Sequence, residues 1–190
     1  MPIFIRKDLK MRRPHTLDIK IPEGVSCEFE QEVIKFKKGD IEMERKISIL
    51  RTELKIEKGV IKFICNKANR KNIAMIKSHA AHIKNILKGL ENKFVYEMEI
   101  CNVHFPITAK VEKDKVMISN FLGEKVNRFA QILDGVEVEI KSQKVTVSSP
   151  DIEKAGQTAA NIEKASRVSN KDRRIFQDGI FMTSKPGGAI

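Results

Sequence analysis

The sequence predicts an α+β fold made of two similar tandem domains, each an antiparallel sheet covered by a helix. Three observations predict it. Apolar and polar residues alternate through most of the chain, the period of half-buried strands. Two stretches, residues 69–90 and 151–167, switch to the helical period. The order of turns, strands and helix also repeats. A shift of 84 carries Pro22 onto Pro106, Gly39-Asp40 onto Gly123-Glu124, Ile56 onto Ile140 and Ile61-Lys62-Phe63 onto Val145-Thr146-Val147. A shift of 79 carries Ile73, Ile76, Ala80 and Ile83 onto Ile152, Ala155, Ala159 and Ile162. Residues 24–39 also match 135–150 at a shift of 111, because alternating strands resemble one another, but only the shift of 84 preserves the order of elements. The predicted domains are 1–91 and 92–190, with a linker near residues 90–93.

Residues 1–14 carry Arg6, Lys7, Lys10, Arg12 and Arg13 with little periodicity and close at Pro14. This basic N-terminal arm is of the kind that orders on phosphates. After Thr16 the period is two: Leu17, Ile19 and Ile21, then the turn Pro22-Glu23-Gly24. Val25, Cys27 and Phe29 follow, then Ile34 and Phe36, the turn Lys38-Gly39-Asp40, and Ile41, Met43, Leu54 and Ile56. Lys58-Gly59 turns into a strand over residues 60–65. In the helix that follows, Ile73, Ile76, Ala80, Ile83, Leu87 and Leu90 share one stripe. Lys77, Lys84 and Lys88 flank that stripe, Lys71, Ser78 and Asn85 face away, and Gly89 reads as the helix stop. The second half restarts with Phe94, Tyr96, Met98 and Ile100, and continues with Val116 and Ile118 after the turn Lys113-Asp114-Lys115. Val136, Val138 and Ile140 pair with Val145 and Val147 across Ser142-Gln143. Pro150-Asp151 opens the second helix, whose acidic start suits the positive end of the dipole. The basic C-terminal tail starts with Lys171, Arg173 and Arg174 and has an embedded aromatic, Phe176, and Ser184-Lys185-Pro186-Gly187-Gly188 reads as flexible.

Charge points to the partner. The 36 basic residues outnumber 25 acidic ones, a net charge of +11 with a pI near 9.6, which favours a polyanion whose counterions are released on binding. With aromatics at 6% and no Trp, the cores must be built mainly from Ile, Val and Leu. Cys27, Cys65 and Cys101 are odd in number and form no CxxC, which argues for a reducing compartment and against a disulfide framework. No run approaches the roughly 18 apolar residues of a membrane span, and the first apolar run is too short for a secretory signal. A soluble intracellular chain is therefore expected.

No catalytic site emerges. There is no GxSxG, Walker loop or GxGxxG, and the carboxylates scatter over strand faces without forming an acid/base pair. His79 with His82, Cys101 with His104, and Cys65 lack zinc-finger spacings, so no metal site is nominated. No cofactor is expected and the chain reads as a non-enzyme. Three basic segments remain. Asn69-Arg70-Lys71 opens the central helix, where backbone N–H groups favour phosphate. Asn120-Phe121-Leu122-Gly123-Glu124-Lys125 combines a ring, a glycine and a lysine. Lys171-Asp172-Arg173-Arg174-Ile175-Phe176 offers arginine forks suited to phosphate oxygens.

These segments, together with His104-Phe105-Pro106-Ile107 and the continuation Gln177-Asp178-Gly179-Ile180, stand in the order found in one family. From about Leu17 to Ile180 the chain resembles the universal large-subunit ribosomal protein six family, in its eukaryotic and archaeal branch, called large-subunit ribosomal protein nine in eukaryotes. The resemblance implies two similar α+β domains and a cytoplasmic, structural constituent of the large ribosomal subunit that binds ribosomal RNA and performs no chemistry. It implies a place near the sarcin–ricin loop and the stalk base, beside neighbouring ribosomal proteins and in transient proximity to translation factors. It assigns RNA contact to Asn120, Gly123, Lys125, Arg173 and Arg174, with Arg70 and Lys71 as further candidates. The chain departs from the family twice: Lys37-Lys38-Gly39-Asp40 replaces a GPRG-type turn, and Cys65-Asn66-Lys67-Ala68 replaces aromatic residues, so the core beneath that loop must pack differently. The alternative reading is an RNA-binding or chaperone-like module outside the ribosome.

Overall fold

A computed structural model describes residues 13–39, 41–47, 52–57 and 59–189. Arg6, Lys7, Lys10 and Arg12 of the basic arm, and Asp40 and Lys58 of the predicted turns, lie outside the described residues. The chain divides into two compact units, Met1–Leu87 and Lys88–Ile190.

The first unit runs β1 (Arg13–Lys20), β2 (Ser26–Glu30), β3 (Val33–Lys38), β4 (Ile41–Lys46), β5 (Glu53–Glu57) and β6 (Val60–Ala68), and then most of α1 (Arg70–Glu91). Two three-stranded antiparallel sheets form where one was expected, in the orders β1-β6-β5 and β2-β3-β4. The alternation holds in both. Leu17 and Ile19 lie opposite Phe63 and Ile61, and Ile34 and Phe36 of the central strand β3 are fully buried. β1 starts at Arg13, earlier than the sequence suggested, so Pro14 lies within the strand rather than closing an arm. Pro14 sits at a strand edge and beside a register shift between Arg13 and His15, where a missing N–H is tolerated.

Asn69 caps α1: its Oδ1 accepts from the backbone N–H of Asn72 at 2.8 Å. Small residues fill the space beneath this cap. Cys65 and Ala68 are buried, and the Asn72 amide donates to Cys65 Sγ at 3.9 Å. Along α1, Ile76, Ala80, Ile83 and Leu87 are buried as the stripe predicts. Gly89 does not stop the helix, which continues to Glu91. Its role is close approach: a Cβ there would collide with the backbone carbonyl of Pro150 and touch the Phe94 ring.

The second unit continues with β7 (Phe94–Cys101), β8 (Thr108–Glu112), β9 (Lys115–Ser119), a short 3-10 turn (Phe121–Gly123), β10 (Arg128–Gln131), β11 (Glu137–Lys141), β12 (Lys144–Ser149), α2 (Ile152–Ala165), β13 (Gly179–Lys185) and β14 (Gly188–Ala189). Its sheets have the orders β10-β9-β8 and β11-β12-β7-β13-β14. Asp151 caps α2, its side chain accepting from the Glu153 N–H at 2.9 Å. Met98, Ile100, Val145, Val147 and Ile180 of the larger sheet, Val116 and Ile118 of the smaller, and Ala155, Ala159 and Ile162 of α2 build one buried core.

The internal repeat is visible in the topology. The sheet β5-β6-β1 corresponds to β11-β12-β7, and β2-β3-β4 to β8-β9-β10. Ile61 and Phe63 share their burial with Val145 and Val147, and Ile76, Ala80 and Ile83 share theirs with Ala155, Ala159 and Ile162. The rival shift of 111 would place the β2–β3 hairpin on the β11–β12 hairpin, strands of non-equivalent sheets. The tail corrects another expectation. Residues 184–188 are not a flexible end: β13 pairs with the free side of β7, setting Ile180 against Ile100 and Met182 against Met98, and turns at Pro186-Gly187 into β14.

Candidate nucleic-acid interface

Three connections of the second unit meet on one side of its core: residues 102–107 after β7, the 120–127 loop after β9, and residues 167–178 before β13. Asn120 adopts a left-handed backbone conformation at φ 56°, which Asn tolerates better than most residues. Its side-chain amide donates to the Pro106 carbonyl at 3.0 Å and so joins the first two connections. Phe121 is buried and anchors the loop. Gly123 has φ +77°, and a Cβ there would rest on the ring of Phe105 at 3.4 Å, an ordinary contact. A side chain at 123 would therefore be strained in its backbone. Beyond it, Lys125, Val126 and Asn127 are exposed.

Arg128 ties this loop to the end of α2. Its guanidinium makes a bidentate pair with Glu124, at 2.8 and 2.6 Å. It also donates to the carbonyls of Ala165 and Arg167 at 3.1 and 3.0 Å, and lies 4.1 Å above the centroid of Phe121. Orphan carbonyls at a helix C-terminus favour such a cation. The hydrogen bond from Arg128 holds the Glu124 carboxyl below its ordinary range, and the nearby Lys171 contributes in the same direction. Lys171 thus lies within electrostatic reach of the 120–127 loop.

The third connection is fixed by Asp178. This buried carboxylate accepts from the backbone N–H groups of Val103 and His104 at 2.8 and 3.0 Å, and from His104 Nδ1 at 2.7 Å. Burial pushes the Asp178 carboxyl up, but the hydrogen bonds from His104 and Val103 outweigh it, and the group stays below its ordinary range. The His104 ring stacks on Phe176 at 4.7 Å, and Lys171 Nζ lies 4.5 Å from the Phe176 centroid. Asp172 closes a turn by accepting from the Arg174 N–H at 2.9 Å. Arg173 and Arg174 project from that turn and are exposed. Arg173, Arg167, Lys164, Phe176 and Gln177 line an open cleft of about 1010 Å³.

The structure therefore brings Asn120, Gly123 and Lys125 into the same connected cluster of loops as Arg173 and Arg174. Arg70 and Lys71 belong to the first unit, exposed in the first turn of α1. Arg128, the staple of the cluster, was missed by sequence reasoning because no spacing distinguishes it from any other basic residue. Asp178 and His104 carried no signal of their mutual bond, being 74 residues apart.

Comparison with known proteins agrees with this architecture. Residues 105–179, which hold the second and third connections and the end of the first, match the family model for ribosomal protein L6. The chain is 40% identical over 172 residues to the large ribosomal subunit protein uL6 of Ignicoccus hospitalis, covering 88% of this chain and 92% of that protein. It is 42% identical over 165 residues to the protein of the same name from Aeropyrum pernix, covering 86% and 91%. The chain belongs to the uL6 family of large ribosomal subunit proteins, in its archaeal and eukaryotic branch.

Proposed function

We propose that this chain is held in the large ribosomal subunit by ribosomal RNA, bound across the loop cluster of the second unit. As a uL6 family member it is a structural, non-enzymatic constituent of that subunit, associated with its RNA and its other proteins. Asn120, Gly123, Lys125, Arg173 and Arg174 are the proposed contacts, with Arg70 and Lys71 as a separate one on the first unit. One observation carries this reading. Two exposed basic segments, distant in sequence, are locked into one surface by Arg128 and Asp178, while Lys125, Arg173 and Arg174 form no ion pair with a described residue. Preorganised exposed cations bind phosphates without first losing internal partners. Gly123 supplies the left-handed backbone that shapes the loop presenting Lys125. The finer reading we propose is a position near the sarcin–ricin loop and the stalk base, where translation factors pass; the motifs shared with the family support it.

The test is sedimentation of cell extract through sucrose at high salt. Retention in the large-subunit peak at one copy per particle is the expected result. Release into light fractions would favour an RNA-binding module outside the ribosome. The double variant Arg173→Ala/Arg174→Ala should bind ribosomal RNA more weakly, with a salt slope flatter by roughly 0.7–0.9 for each phosphate no longer neutralised. An unchanged slope removes both residues from the interface.

A further inference from the structure

We propose that the exposed face of α1 in the first unit is a second phosphate-binding surface, built for the backbone of an RNA duplex. The first unit carries 20 basic against 11 acidic residues, and the second only 16 against 14. Most of the excess charge thus lies outside the loop cluster, and part of it is ordered on α1. From Arg70 to Leu90 the helix contains five cations and no carboxylate.

The arrangement is regular. Arg70, Ala74, Lys77, Ala81 and Lys84 are all exposed, and steps of three and four keep them on one face, which runs alongside the buried stripe of Ile76, Ala80 and Ile83. At about 1.5 Å per residue, Arg70, Lys77 and Lys84 stand about 10.5 Å apart and span about 21 Å. A duplex carries about one phosphate charge per 1.7 Å of axis, so each cation on that length meets its own phosphates. Ala74, Ser78 and Ala81 lie low between the long side chains and let the helix approach a backbone closely. Arg70, Lys77 and Lys84 make no ion pair with a described residue. Lys71 adds a further cation in a first turn that holds no acid. Two cations beside the positive end of a helix dipole are unfavourable alone and are relieved by a bound anion.

Duplex RNA fits this face better than an acidic protein does. The face offers no large apolar anchor, and its cations are evenly spaced, so it suits a regular polyanion recognised by its backbone. Binding here is independent of sequence and additional to the loop cluster.

The test uses the full chain and a short RNA duplex of arbitrary sequence, titrated over a range of salt. Lys77→Ala/Lys84→Ala should flatten the slope of log affinity against log salt by roughly 1.8, and Lys77→Arg/Lys84→Arg should restore it. Alanine favours helix, so helicity read by circular dichroism should be kept. Lys35→Ala/Lys37→Ala on β3 removes the same charge from a face where Glu44 and Glu42 lie opposite these lysines, and should change the slope far less. Equal losses in both pairs would reduce the effect to net charge and overturn the inference, as would an unchanged slope for the α1 pair. Loss of polyglutamate binding with duplex binding intact would assign the face to an acidic protein and overturn it too. Arg173→Ala/Arg174→Ala measured alongside separates the two surfaces, because either pair can fail alone.

Discussion

Asp178 holds His104 twice, accepting its backbone N–H at 3.0 Å and its ring Nδ1 at 2.7 Å, with a further bond from the Val103 N–H at 2.8 Å. The residue just before β13 thereby fixes the connection leaving β7. Asp178→Ala leaves two half-buried backbone donors without their acceptor. Hydrogen bonds to a charged group contribute about 1.5–3 kcal/mol each, and stranded buried donors cost a similar amount. Asp178→Ala should lower stability by about 3 kcal/mol, and Asp178→Asn, which keeps an acceptor for the two N–H groups, by about 1 kcal/mol. Urea denaturation of both variants checks the order; an equal loss would mean that the charge, rather than the acceptor, holds the connection.

The same carboxylate makes stability depend on acid. The carboxyl groups of Asp178 and Glu124 are both held below their ordinary range in the folded chain. The unfolded chain therefore takes up protons before the folded one as pH falls. Their contribution is complete above the unfolded carboxyl pKa and is lost as pH falls through the depressed folded values. Denaturant midpoints should be flat near neutrality and drop on the acid side of the carboxylate range. Asp178→Asn should start lower and drop less steeply. A variant as steep as the parent chain would show that Asp178 does not carry this linkage.

The sequence disclosed the parts of this fold that have a period. Ile61 and Phe63 announced β6, Ile76 to Ile83 announced α1, and their counterparts at Val145, Val147 and Ala155 to Ile162 announced the repeat. It was silent where the pattern is short or where partners are distant. The four residues of β10 are too few to show alternation, and β8 pairs exposed Thr108 and Lys110 with only half-buried Ala109. The tail was misread because Pro and Gly near the end suggest a linker, whereas here they make the turn between β13 and β14. The exposed basic residues of the proposed interface were nominated from sequence, because their side chains have no other visible task. The residues that assemble it could not, because Arg128 acts through carbonyls 37 and 39 positions away.

Arg128 carries a prediction about geometry rather than charge. Its planar fork serves a carboxylate and two carbonyls while its face covers Phe121. Lysine preserves the charge but supplies neither the fork nor the stacking surface. Arg128→Lys should therefore destabilise the second unit by about 2 kcal/mol. It should also weaken RNA binding, because the 120–127 loop and the segment after α2 lose their shared anchor. Thermal unfolding and RNA titration of the same variant check both effects. Full stability in the lysine variant would mean that charge alone suffices at this position.

Gly89 provides the last test, and its sign opposes helix propensity. Replacing a glycine inside a helix by alanine ordinarily stabilises by about 1 kcal/mol. Here the added methyl would meet the Pro150 carbonyl and the Phe94 ring, and the carbonyl is backbone that cannot turn aside as a flexible side chain would. Overpacking of this kind costs about 1–3 kcal/mol, so Gly89→Ala should be net destabilising despite the better helix former. Gly135→Ala is the contrasting case. No atom lies within 4 Å of a Cβ there, but φ is +81°, so its cost comes from backbone strain alone. Denaturation of the two variants, each paired with the circular dichroism of its folded state, separates crowding from strain. A Gly89→Ala chain more stable than the parent would show that α1 and the Pro150 backbone can move apart without loss, and that this glycine is not required for close approach.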